Sequence, residues 1–62
     1  MKFEVVNHGT LVGFTPISEA AKEWWDEYVQ WSPMMGDAYL VEARYAQAII
    51  DGIENDGGQI NQ

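Results

Sequence analysis

Two adjacent tryptophans constrain this chain more than any other feature. Ala21, Trp24, Trp25 and Tyr28 recur at spacings of three and four, the period of one helix face, while Glu19, Lys22, Glu23, Asp26 and Glu27 take the remaining surface. A helix is therefore predicted from a Ser18 N-cap to about Val29 or Gln30, with Glu19 favourably placed against the positive end of the helix dipole. Its apolar face has to be buried against something. The chain has 62 residues and no cysteine. Without disulfides or thiolate metal sites, packing alone has to hold a domain near the lower size limit for independent folding. Trp24, Trp25, Trp31, Tyr28, Tyr39, Tyr45, Phe3 and Phe14 supply the means, because each ring can bury roughly 150–250 Å². A single ordered domain over residues 1–62 is expected.

The surface that receives the helix is legible upstream. Residues 2 to 6 and 10 to 15 are β-rich runs separated by Asn7-His8-Gly9, a hairpin signal. With His8-Gly9 as the loop, Val5 opposes Val12 and Phe3 opposes Phe14, so four apolar side chains share one face. Lys2, Glu4, Val6, Leu11 and Gly13 take the other. Pro16 ends the second strand. Residues 31 to 37, which include Pro33 and Gly36, read as a loop rich in large apolar side chains. Ala38 to Glu42 reads as a third strand and residues 43 to 56 as a second helix, with Ala46, Ile49, Ile50 and Ile53 on one stripe and Gly57 as C-cap. Gly52 inside that helix suggests a close approach by another backbone. The tail Gln59 to Gln62 is expected to fray. The resulting α+β order is ββαβα: a three-stranded antiparallel sheet in the order 2-1-3, reached by a right-handed crossover through the first helix, with both helices on one face. The open face would show Val6, Leu11 and one alternating set of the third strand, a patch that suggests a homodimer or another partner.

Charge decides which partners are plausible. Ten acidic residues against three basic ones give a formal net charge of -7. That disfavours direct nucleic-acid binding, which rests on lysine and arginine neutralising phosphates. The apolar runs are far shorter than the ~20 residues of a membrane span. A glutamate inside Met1-Lys2-Phe3-Glu4-Val5-Val6 does not suit a signal peptide, so the expected location is cytoplasmic.

Residues that could carry chemistry are few. The only histidine, His8, lies in a turn without a serine or cysteine nucleophile placed to use it. Zinc draws on several histidines or cysteines. Asp51 to Gly57 has the flavour of a calcium loop but fails on spacing, with Ile53 at the third position and Gln62 at the twelfth. Gly57-Gly58 follows a helix and lacks the lysine and serine of a phosphate-cradling loop. Paired carboxylates could in principle do acid and base work, but so small a chain leaves little room for a substrate cleft. No enzyme, cofactor or metal is expected. Arg44, just after Glu42, suits an internal ion pair.

Two sets of residues point to a binding role instead. Glu19, Glu23, Asp26 and Glu27 line about 12 Å of helix and, less Lys22, carry about one negative charge per ~4 Å. Single-stranded nucleic acid carries one per roughly 3.4 Å and the duplex one per about 1.7 Å. The face thus approaches the charge density of one strand, and it reads either as a nucleic-acid mimic or as a solvating surface. Trp31, Met34 and Met35 form the second set, of types enriched in interface cores, although in so small a core closing one end of the hydrophobic layer is the stronger reading.

Asn7-His8-Gly9-Thr10, Pro16, Ala20-Ala21, Trp24, Gly36, Val41-Glu42, Arg44-Tyr45, Gly52 and Asp56-Gly57, in that order, span almost the whole chain. This pattern resembles short, acidic, mostly uncharacterised proteins encoded in phages and prophages of proteobacteria. The usual ending of that pattern has an apolar residue after the second Asp-Gly, where Gly58 stands here. The resemblance implies no catalytic residues. It implies an accessory protein that acts by binding a host protein, including nucleic-acid-handling machines. The expectation is a protein-binding inhibitor of such a host factor, itself basic, acting through the acidic helix face, with Glu19, Glu23, Asp26, Glu27, Trp31, Met34 and Met35 as partner-binding residues. The alternative is a homo-oligomeric module joined through the open sheet face.

Overall fold

A computed structural model describes residues 1–29 and 32–62. The elements are β1 (Lys2–Asn7), β2 (Leu11–Pro16), α1 (Glu19–Tyr28), β3 (Met34–Met35), β4 (Ala38–Glu42), α2 (Ala43–Asn55) and β5 (Gln59–Asn61). Two helices lie on one mixed sheet whose five strands run in the order β3-β4-β2-β1-β5. The α+β class agrees with the sequence reading. The three-stranded antiparallel sheet in the order 2-1-3 does not.

The hairpin shows how close the expectation came. Val5 faces Phe14 and Asn7 faces Val12, so the register is displaced by two residues from the expected one. Side chains alternate with period two, and a two-residue shift keeps every residue on its face. Phe3, Val5, Val12 and Phe14 are accordingly all buried, while Val6 and Leu11 stay exposed. Turn chemistry sets the difference. Asn7 Oδ1 accepts the Gly9 N–H at 2.7 Å, and the His8 N–H donates to the Leu11 carbonyl at 2.8 Å. The loop is therefore Gly9-Thr10, with Gly9 at a φ of 93° in the first loop position, where tight hairpin turns place glycine.

The strand order differs because the segment after α1 turns back on itself. Met34 and Met35 pair with Tyr39 and Ala38 around Gly36-Asp37, a hairpin where a loop is expected from composition. The chain thereby enters β4 antiparallel to β2, pairing Leu11 with Glu42 and Phe14 with Tyr39. The parallel crossover is made by α2 instead. It carries the chain from β4 over the sheet to β5, which pairs parallel with β1 from Lys2 to Glu4. The tail expected to fray is thus a strand.

The end of α2 explains how that strand is launched. The Gly58 N–H donates to the Ile53 carbonyl at 2.8 Å and the Gly57 N–H to the Glu54 carbonyl at 3.0 Å, with Gly57 at a φ of 86°. These are the paired bonds of a Schellman motif. Gly58 then sits so close to Ile53 that an added Cβ would lie 2.5 Å from its Cγ2 and 2.9 Å from its carbonyl oxygen. Gly52 has another explanation than the expected backbone approach. Its neighbour is the Trp24 ring, 3.6 Å from where a Cβ would stand, an ordinary contact.

The core has two halves. Under α1, Trp25 is fully buried, stacked on Tyr39 at 4.9 Å and in contact with Phe14 at 5.0 Å and Phe3 at 5.9 Å. Under α2 the buried residues are aliphatic: Ala46 and Ile53, with Ile49 and Ile50 partly buried against the cluster. Trp24 joins the helices, edge-on to Phe3 at 6.0 Å, with its Nε1–H donating to Asp56 Oδ2 at 2.8 Å. No helix among the described residues is long and apolar enough to cross a membrane.

Candidate functional site

Glu19, Glu23, Asp26 and Glu27 are all exposed on α1. The helix that presents them is fixed at both ends and along its inner face. Ser18 Oγ accepts the Ala21 N–H at 3.1 Å at the start, the Val29 N–H donates to the Trp25 carbonyl at the end, and Ala21 and Trp25 are buried. Burial of one stripe leaves the carboxylates no direction but outward. Three further acids lie on or beside α2: Asp51 and Glu54 within it, and Asp56 at its C-cap, tied to Trp24. Seven of the ten acids therefore sit in the helical layer, against Lys22 and Arg44. Arg44 is already engaged, its Nε 3.0 Å from Glu42 Oε1 and its guanidinium over the Tyr45 ring at 4.9 Å.

Met34 and Met35 are not brought to the acids as one surface. They form the short edge strand β3, at 53% and 65% exposure. Met34 pairs with Tyr39, whose ring stacks on Trp25, so it lies at the rim of the helix-covered side. Met35 pairs with Ala38 and points to the opposite, open face. Trp31, the third member of that set, lies outside the described residues.

The open face gathers what the register dictates: Val6, Leu11 and Met35 are exposed, and Leu40 is half-buried beside Gly13. Of the two alternating sets of β4, it is thus Leu40 and its neighbours that face outward, and Tyr39 with Val41 that face the core. His8 also lies on this side, its Nε2 3.5 Å from where a Cβ of Gly13 would be. The imidazole covers the glycine, which accounts for a buried Gly13 on an uncovered face.

Sequence reasoning missed one feature altogether. A cleft of about 610 Å³ opens between β1 and α2, lined by Val5, Val12, Ala46, Gln47, Ile50 and Gln62 among others. The signal was present in Ala43, Ala46 and Gln47, since small or polar residues at the start of α2 cannot fill the space that rings fill under α1. A second hollow, bordered by Thr10, Leu11, Glu42 and Arg44, is more open to solvent. Among the described residues no three histidine or carboxylate side chains gather closely enough to hold a metal ion. No protein-family model, curated protein or solved structure matches the chain.

Proposed function

We propose that this is a small acidic protein-binding module of phage type that occupies a basic surface of a host nucleic-acid-handling protein, probing it through its helical layer, and that it works in the cytoplasm. The observation carrying this reading is the outward display of Glu19, Glu23, Asp26 and Glu27 by a helix locked onto a ring-filled core. A rigid helix holds its charges at fixed spacing without an ordering cost at binding, which is the advantage of a preorganised surface. The Trp24–Asp56 bond sets a further carboxylate beside that row. Asp51 and Glu54 stand apart from that row, on the cleft side of α2, so the α1 face by itself keeps the charge density of a single strand.

The test is capture of binding partners from a host lysate by the immobilised protein, followed by elution with single-stranded or duplex oligonucleotide. Partners released by oligonucleotide, and lost when Glu19, Glu23 and Glu27 are all changed to lysine in a variant whose circular dichroism is unchanged, support the reading. Equal capture by that variant contradicts it.

A second reading is favoured by the open sheet face, where Val6, Leu11, Leu40 and Met35 form an apolar strip that could pair two copies of the chain. Sedimentation at micromolar concentration separates the two. A dimer that is lost on Leu11→Lys substitution favours homo-association, and a monomer at every concentration removes it.

A further inference from the structure

The β1 edge beside the cleft is half bare, and its bare half lies over an apolar floor. In an antiparallel ladder main-chain groups turn alternately toward and away from the partner strand. The Ile17 N–H donates to the Lys2 carbonyl and the His8 N–H to the Leu11 carbonyl, so Lys2, Glu4, Val6 and His8 direct their groups to β2. Phe3, Val5 and Asn7 therefore direct theirs to the other side. There β5 covers Lys2 to Glu4 only. The parallel Glu4–Asn61 pairing takes up the Val5 N–H, so past β5 the edge left without a strand, among the described residues, is the Val5 carbonyl and the main chain of Asn7, where the cleft walled by Ala46, Gln47 and Ile50 and bordered by Gln62 opens.

We infer that this edge and cleft form a strand-addition site for an extended peptide segment of a basic partner, with small apolar side chains alternating with lysine or arginine. Alternate side chains of such a segment point to opposite faces of the sheet. Those on the inner side enter the cleft over Val5, Val12 and Ala46, while its main chain takes up the hydrogen-bonding groups of the edge. The basic preference comes from charge complementarity. The cleft lining holds no ionised side chain, but Gln47 at its wall donates to Asp51 Oδ1 at 3.0 Å, so a carboxylate stands one turn along α2. Glu54 continues the stripe of Ala43, Gln47 and Ile50 at helical spacing. A second copy of the chain is disfavoured as occupant, because it also carries a charge of -7 and would bring like charge to like. The inference rests on the protein-binding reading only for the sign of the partner's charge, and it uses a surface that α1 does not line.

The probe is a capped heptapeptide, Lys-Val-Lys-Val-Lys-Val-Lys, titrated into isotopically labelled full-length protein and followed by amide shifts. Saturable shifts centred on Val5, Asn7, Ala46 and Ile50 are expected. Gln47→Trp, which places a ring across the cleft mouth at an exposed position, should weaken binding about tenfold or more, and Gln47→Ala should not. Asp51→Lys should weaken it by a smaller factor. The Glu19, Glu23 and Glu27 lysine variant should bind the peptide within about threefold of the wild type, so this site can stand even if the α1 reading falls. Shifts spread over the α1 carboxylates, equal binding of a glutamate-valine peptide, indifference to Gln47→Trp, or no shifts at all would each overturn the proposal.

Discussion

The two halves of the helical layer rest on the same sheet in opposite ways. Beneath α1 the space is filled by rings, with Trp25 in contact with Phe3, Phe14 and Tyr39. Beneath α2 the contacts come from Ala46, Ile50 and Ile53, and a cleft remains. The helix starts differ in the same sense. Ser18 caps α1 through its hydroxyl, whereas Glu42 at the start of α2 makes no side-chain cap and turns its carboxylate to Arg44. Rings fill the α1 half, and the smaller side chains of the α2 half leave accessible surface. The ring-filled half displays charge along a helix, and the other leaves part of a strand edge uncovered.

Substitutions can break or sharpen this contrast. The largest effect should follow Trp25→Ala, at about 3–5 kcal/mol in denaturant unfolding, a large part of what a small domain possesses. Ile50→Ala, at the cleft wall, should cost about 1–2 kcal/mol, because its surroundings already meet solvent. Equal costs would mean that the α2 half is as closely filled as the α1 half. Next comes Gly58→Ala, which forces a Cβ against the Ile53 side chain and carbonyl and should cost about 1–3 kcal/mol, seen as a lowered melting temperature. Ser18→Ala should cost about 1 kcal/mol, and Glu42→Ala no more than a few tenths, since its ion pair is exposed. One change should instead be a gain. Gly52→Ala adds a methyl at ordinary contact distance from Trp24 and should stabilise by about 0.5–1 kcal/mol through helix propensity.

What was legible in the residues follows from which signals are local. The period of Ala21, Trp24, Trp25 and Tyr28 and the capping hydroxyl of Ser18 locate α1, and the alternation of Phe3, Val5, Val12 and Phe14 assigns the sheet faces even though the hairpin register moved by two. The strand order was not legible, because it turns on the hairpin at Gly36-Asp37 and on β5, whose three residues are polar at both ends and gain their place only by pairing with Lys2 to Glu4. Short edge strands carry little pattern of their own and are held by tertiary contacts. The acidic residues of α1 could be placed on an exposed face from sequence. The cleft could not, since it is defined by how α2 crosses the sheet toward β5.

Native-state amide hydrogen exchange of the free protein tests most directly whether the β1 edge is closed near β5 and open beside α2. The main chains of Phe3 and Asn7 point to the same side of β1, but only Phe3 has β5 beside it. The amide of Phe3 should exchange at the slow rate set by global unfolding, and that of Asn7 orders of magnitude faster, near the rate of an unprotected amide. An Asn7 amide as protected as that of Phe3 would show the edge already covered, and the open strand-addition site would not exist.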